Sequence, residues 1–282
     1  MQLASTDGVT VALHDLGGRG DPLLIAHATG FCGQVYAPLA AELAGHFRVW
    51  ALDFRAHGDS SAPVGRDADG SWPGLHWHKM ADDFDAAVDE LGGGPLAVFG
   101  HSLGGACALL AEARRPGLLR WAHVFEPIVF PSGFEGPHTT PLAEAAARRR
   151  RVFPARGDAM MRYASKPPLG LLRADCLHAY VTHGFRELPD GTVELKCSPE
   201  HEAAVFRGTG AITNDDITAV QVPVTVSTGT AEDTPANLAE GQVASLPNAR
   251  LVRLAGLGHF GPLQDPVTVA THVLATARDV GA

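Results

Sequence analysis

Cysteine is scarce in this chain. Cys32, Cys107, Cys176 and Cys197 are spread over 282 positions, and no two form a C-x-x-C pair. That argues against a disulfide framework or a zinc knuckle and suits reduced thiols in a cytoplasmic protein. Long apolar runs are missing too, and none approaches the ~20 residues that a membrane-spanning helix needs. Net positive charge is absent. The 22 Lys and Arg stand against 31 Asp and Glu, a formal charge of -9, which argues against a general attraction to nucleic acid or an anionic membrane. The start, Met1-Gln2-Leu3-Ala4-Ser5-Thr6-Asp7-Gly8, lacks the basic and apolar stretches of a signal peptide, so a cytoplasmic location is expected. No internal repeat is present. No metal or cofactor is expected, and the expected partner is a small-molecule substrate. The chain is read as a monomer or homodimer.

What is present is enough apolar sequence, 45% of the residues, for one large core with an inserted subdomain. Short apolar runs at Pro22–Ala26, Phe47–Leu52, Pro95–Phe99, Leu118–Phe125, Pro223–Thr228 and Arg250–Leu254 alternate with helical spacings at Tyr36–Leu43, Met80–Leu91, Pro235–Ser245 and Val267–Ala277. Strands alternating with helices predict an α/β fold with a mostly parallel sheet. From about Pro131 to Thr213 the alternation stops, and helical pieces are punctuated by prolines. The predicted organisation is a core of residues 1–130 and 216–282 with a helical cap inserted at 131–215.

The chain is organised around Gly100-His101-Ser102-Leu103-Gly104-Gly105. An apolar strand precedes it and the small-residue helix Ala106-Cys107-Ala108-Leu109-Leu110 follows. A serine between glycines on such a turn stands clear of the sheet, with helix N–H groups aimed at any anion formed there. His27, Asp53, Ser102, Glu126, Asp233 and His259 all fall just past predicted strands. Parallel sheets gather their ligands along that edge. A serine hydroxyl needs a base, and the base needs an acid to hold its tautomer. His259, in the Gly-rich loop Gly256-Leu257-Gly258-His259-Phe260-Gly261, is the expected base. Asp233 is the expected acid, with Glu126 and Glu232 as alternatives. The N–H groups of Leu103 and Thr29 are the expected oxyanion hole.

Other polar residues have plainer readings. His27 is expected to brace its own loop. Asp53, Arg55, His57 and Asp59 are expected to form a bracing hydrogen-bond network. His76, Trp77 and His78 are placed at a pocket mouth or in a solvated loop. Arg148-Arg149-Arg150-Arg151 reads as an exposed face of a cap helix, with attraction of an anionic substrate as the sharper alternative.

The segments His27-Ala28-Thr29-Gly30-Phe31, Asp53-Phe54-Arg55-Ala56-His57-Gly58-Asp59-Ser60, Gly100-His101-Ser102-Leu103-Gly104-Gly105 and Gly258-His259-Phe260 with Asp265-Pro266 resemble the α/β-hydrolase fold superfamily, in its order. The resemblance covers most of the chain outside roughly 131–215. It implies an eight-stranded, mostly parallel sheet, a cap and a cofactor-free serine triad. Two departures stand out. The usual His-Gly is His27-Ala28, and Asp233 follows Gly229 by four residues where the family often has three. Ser102 sets the chain apart from epoxide hydrolases and haloalkane dehalogenases, which use an aspartate nucleophile.

The expected function is cofactor-free hydrolysis of an ester, lactone or thioester through an acyl-enzyme. C–C bond hydrolysis and perhydrolysis on the same triad are the alternatives. A non-catalytic small-molecule sensor is the reading furthest from these residues.

Overall fold

The structure is a computed structural model that describes residues 1–68, 71–134, 140–231 and 234–281. The chain opens with β1 (Gln2–Ala4), β2 (Thr10–Gly18) and β3 (Asp21–Ala26), followed by a 3-10 turn at Gly33–Tyr36 that runs into α1 (Ala37–Leu43). β4 (Phe47–Asp53), α2 (Trp77–Glu90), β5 (Leu96–His101), α3 (Leu103–Arg114) and β6 (Leu119–Phe125) come next. The chain then leaves the sheet. This excursion carries α4 (Pro141–Ala147), β7 (Val152–Phe153), α5 (Arg156–Ala164), α6 (Ala174–His183), β8 (Phe185–Glu187), β9 (Val193–Leu195) and α7 (Pro199–Arg207). It returns through β10 (Val224–Gly229), α8 (Ala239–Ser245), β11 (Ala249–Leu254), the short α9 (Gly261–Gln264) and α10 (Pro266–Asp279).

Eight strands form one sheet in the order β1-β2-β4-β3-β5-β6-β10-β11. β1 and β2 pair antiparallel, as do β2 and β4. The pairs from β4 through β3, β5, β6 and β10 to β11 are all parallel. Helices cover both faces, which is why β5 is buried along its whole length and reads as an unbroken apolar run rather than an alternating one. Apolar clusters lie on either side of the sheet, one around Trp77, Phe84 and Leu109, the other around Tyr36, Trp121 and Val273. The sequence reads this excursion as helical pieces alternating with turns. It also contains a small antiparallel sheet, β7-β9-β8. These strands are two or three residues long, too short for a two-residue period to emerge from the sequence.

Several histidines are sealed inside. His57 and His123 are both fully buried, and burial pulls each imidazole down to about 3. His27 and His101 are also lowered, chiefly by burial. A histidine whose pKa is depressed in the folded state takes up its proton more readily once unfolded. Its stabilising contribution is therefore full above the ordinary imidazole range and is lost as pH falls from there toward the folded value. The urea midpoint is expected to hold steady from pH 8 to 7 and to fall between pH 6.5 and 5, above the range where ordinary carboxylates titrate. The expected slope is up to about 1.4 kcal/mol per pH unit for each such group. A flat midpoint across pH 7 to 5 would contradict this.

Candidate active site

β5 ends at His101 and α3 begins at Leu103, leaving one residue to make the turn. Ser102 takes φ 54° and ψ −117°, a conformation that costs a non-glycine residue about 1–3 kcal/mol. The packing around it shows why its neighbours are glycines. A Cβ on Gly100 would lie 2.5 Å from the Cα of Gly105, and one on Gly104 would lie 2.2 Å from the carbonyl oxygen of Ala26. Backbone meets backbone here, so no side chain fits. The strain at Ser102 is held by its N–H donating to Phe125 O at 3.0 Å and its carbonyl accepting from Ala106 N–H at 3.1 Å.

Ser102 Oγ is 3.1 Å from His259 Nε2. On the far side of the ring, Nδ1 is 2.6 Å from Glu126 Oε2. A carboxylate accepts, so Nδ1 carries the proton and Nε2 presents its lone pair to the serine hydroxyl. The second oxygen of Glu126 accepts from Thr228 Oγ1 at 2.7 Å and from Gly229 N–H at 2.8 Å. Glu126 is fully withdrawn from solvent at its side chain, whereas that of His259 is 23% exposed.

Among the described residues, the carboxylate on His259 is therefore Glu126, one of the two alternatives. Nδ1 has a single proton to donate, and Glu126 accepts it. Glu126 sits just past β6, beside the end of β10, and its long side chain spans the gap. Asp233 and Glu232 lie outside the described residues.

The loop after β3, where the sequence places the oxyanion donor Thr29, is aimed by its own hydrogen bonds. Phe54 N–H donates to His27 Nε2 at 3.0 Å, so His27 Nδ1 bears the proton and donates to Ala28 O at 2.8 Å. Phe31 N–H adds a second bond to that oxygen at 3.2 Å. Ala28 C=O and Thr29 N–H belong to one planar trans peptide, so pinning the oxygen on one side turns the Thr29 N–H to the other. Leu103 N–H is the first of α3 and has no carbonyl a turn behind it within the helix. His27 is thus a loop brace, as expected.

The bracing network also appears. Asp53 accepts from Gly33 N–H at 2.6 Å, Asp59 N–H at 2.8 Å and His14 Nε2 at 2.8 Å. His14, Asp53 and Asp59 lie close enough together to hold a cation, yet these oxygens are already engaged, and Asp59 Oδ1 takes Lys196 Nζ at 2.5 Å. Arg55 and Asp83 form a fully buried ion pair at 2.7 Å. His57 donates through Nδ1 to Arg55 O at 2.9 Å.

A cavity of about 430 Å³ opens between the oxyanion loop and the excursion. Its floor includes Thr29, Gly30, Phe31 and Phe260, the neighbours of the triad rather than Ser102 itself. Its walls carry Arg148, Arg149, Arg150, Arg162 and Lys166, with Tyr163, Tyr180 and Glu202. Here the expectation of an exposed arginine face is corrected. α4 ends at Ala147, and the turn into β7 swings Arg149 inward while Arg148 stays 72% exposed at its side chain. Arg149 pairs with Glu202 at 2.5 Å and donates to Tyr163 at 3.2 Å and to Tyr180. A Cβ on Gly30 would lie 2.4 Å from Glu202 Oε1 and 3.6 Å from Arg149 Nη1, so this pair rests directly on the oxyanion loop. The histidines and tryptophan of residues 76–78 do not line the cavity. Trp77 and His78 instead reach Val205 O at 2.8 Å and Ala211 O at 3.0 Å.

Glu126→Gln is expected to reduce kcat on an activated ester by about 10³–10⁴-fold, because an amide does not hold the same tautomer. Asp233→Asn is expected to stay within a few-fold of wild type. Steady-state kinetics on both variants, with unfolding midpoints to confirm folding, checks the assignment. A larger loss for Asp233→Asn overturns it.

Three comparisons bear on this site. A family model for the alpha/beta hydrolase family matches residues 23–272. The (E)-2-((N-methylformamido)methylene)succinate hydrolase of Acinetobacter baylyi is 28% identical over 106 residues, 36% of this chain. That match spans only 36% of the relative's own length. The solved structure of an E-2-(acetamidomethylene)succinate hydrolase covers 100% of this chain and 99% of its own, with a TM-score of 0.77 at 22% identity. A malate-bound thermophilic esterase from Thermogutta terrifontis covers 100% and 99%, with a TM-score of 0.71 at 20% identity. At such identities the two structures share the fold. Among the described residues no helix is long and apolar enough to cross a membrane. With the family model matching most of its length, from the third strand of the sheet into its closing helix, the chain belongs to the alpha/beta hydrolase family.

Proposed function

We propose that this protein is a serine hydrolase that cleaves an ester or amide bond in a small molecule carrying a carboxylate. The observation that carries the reading is the unbroken series from Ser102 Oγ through His259 to Glu126, beside a cavity with five cationic side chains in its lining. In this reading Ser102 Oγ attacks the acyl carbon as its proton passes to His259 Nε2. Glu126 keeps Nδ1–H in place and stabilises the imidazolium. The N–H groups of Leu103 and Thr29 hold the oxyanion. His259 then gives its proton to the departing alkoxide or amide nitrogen, leaving an acyl-enzyme. Water attacks that intermediate, His259 takes a proton from the water, and the proton returns to Ser102 as the acid leaves.

Cationic walls favour an anionic substrate, all the more against the net charge of -9 on the whole chain. Arg149 is the strongest candidate for a direct carboxylate contact, because its partners hold the guanidinium still beside the oxyanion loop. A guanidinium has five N–H donors, and the three bonds to Glu202, Tyr163 and Tyr180 leave capacity for a ligand. The names of the relatives point the same way, since two are hydrolases of substituted succinates and the esterase was solved with malate.

Ser102→Ala is expected to abolish labelling by a fluorophosphonate probe and to cut turnover by up to about 10⁶-fold. A variant that is still labelled at the wild-type rate would refute the nucleophile. Arg149→Gln is expected to raise KM for a half-ester of succinate about tenfold or more. Its kcat/KM for the neutral p-nitrophenyl acetate should change by less than about threefold, well below one lost charge-assisted bond. Equal losses on both substrates would remove Arg149 from substrate recognition.

A further inference from the structure

A second chain of polar groups links the oxyanion loop to the loop that carries His259, and the triad does not use it. Ala28 N–H donates to Tyr36 Oη at 3.1 Å. Tyr36 Oη is 2.7 Å from His101 Nδ1, and His101 Nε2 is 2.8 Å from the carbonyl oxygen of His259. Tyr36 and His101 are fully buried.

The direction of each bond is forced. A carbonyl oxygen only accepts, so His101 Nε2 carries the proton. Burial, reinforced by the neighbouring His259, keeps the His101 ring neutral. Nδ1 is then a bare lone pair, and the Tyr36 hydroxyl must donate to it. With its proton so committed, the hydroxyl oxygen accepts from Ala28 N–H. The result is one directed chain, loop to loop, passing through the residue next to Ser102. The His101 ring also lies against those of His259 and Phe125, with centroids 5.2 Å and 5.7 Å away.

We propose that Tyr36 and His101 are positioning residues that lock the oxyanion loop and the His259 loop into one register, so that base and oxyanion donors close on Ser102 as a unit. This rests on the serine-hydrolase reading above. A phenylalanine at position 36 would fill the same apolar surroundings without a buried hydroxyl to satisfy. The hydroxyl does what phenylalanine could not, holding the peptide N–H immediately before Thr29. His101 then carries that restraint to the backbone of the base.

The test is a double-mutant cycle on p-nitrophenyl acetate, with kcat expressed per site titrated by a fluorophosphonate. A loss of folded protein lowers the number of titrated sites and leaves kcat per site alone. A loss of register lowers kcat per site. Tyr36→Phe is expected to lower kcat per site about tenfold, the worth of one hydrogen bond of roughly 1.4 kcal/mol, with KM within about twofold. In a His101→Ala background the same change is expected to add little, because the chain is already cut. His101→Gln, whose amide can donate to His259 O in place of Nε2–H, is expected to recover part of the His101→Ala loss. Unchanged kcat per site in Tyr36→Phe, effects that multiply in the double variant, or a loss confined to KM would each overturn the inference. Wild-type protein that neither turns over the ester nor takes the probe would refute the serine-hydrolase reading and this inference with it. An active wild type matched by its variants would refute this inference alone.

Discussion

The contact on which the rest depends is the one between Gly104 and Ala26. The first turn of α3 lies against the end of β3 with no side chain between them. That closeness sets the start of α3 directly against the strand end that leads into the Ala28–Thr29 peptide. It also fixes where Ser102 can stand. The strained φ of the serine is a consequence. β5 and α3 must join across a single residue, and their packing leaves no slack for a relaxed turn.

Around this contact the polar groups are ordered by what each can accept or donate. His27 and His101 occupy similar positions in the logic, although one lies just past β3 and the other ends β5. Each is buried and neutral, each has one nitrogen committed to a carbonyl, and each therefore has its other nitrogen defined as an acceptor. His259 differs in facing a carboxylate on one side and a hydroxyl on the other, which is the arrangement a proton shuttle needs. Three imidazoles thus share one site with two jobs. Two orient backbone, and one links a hydroxyl to a carboxylate.

Much of this was legible in the residues. The strand–helix alternation gave the parallel sheet because both faces are covered, and buried strands read as apolar runs. The meeting of Ser102 and His259 was legible because each sits in a glycine-rich turn just past a strand. The acid was not. Glu126, Glu232 and Asp233 all follow predicted strands, and it is the placement of β6 beside β10, with Thr228 and Gly229 presenting donors, that brings Glu126 to His259. His101 lay within the quoted motif yet carried no sign of its role, and Tyr36 carried none at all. Their partners are set by loops distant in sequence. Arg149 was hidden in a run of four like residues. Which one turned inward depended on where α4 ended, and helix ends are poorly marked when alanine continues to the boundary.

The choice of glutamate follows from the same geometry. β6 delivers residue 126 at its end, with φ 43° at that position, while His259 arrives from the loop after β11. The carboxylate must reach Nδ1 with one oxygen and the end of β10 with the other. An aspartate at the same position would be shorter by one carbon–carbon bond, about 1.5 Å, and could satisfy one side or the other but not both. Gly229 packs so tightly against the His259 loop that a Cβ there would lie 2.1 Å from Leu257 O. The loop that carries His259 and the end of β10 are thereby held to each other directly, so that backbone contact fixes the gap that the Glu126 side chain must span.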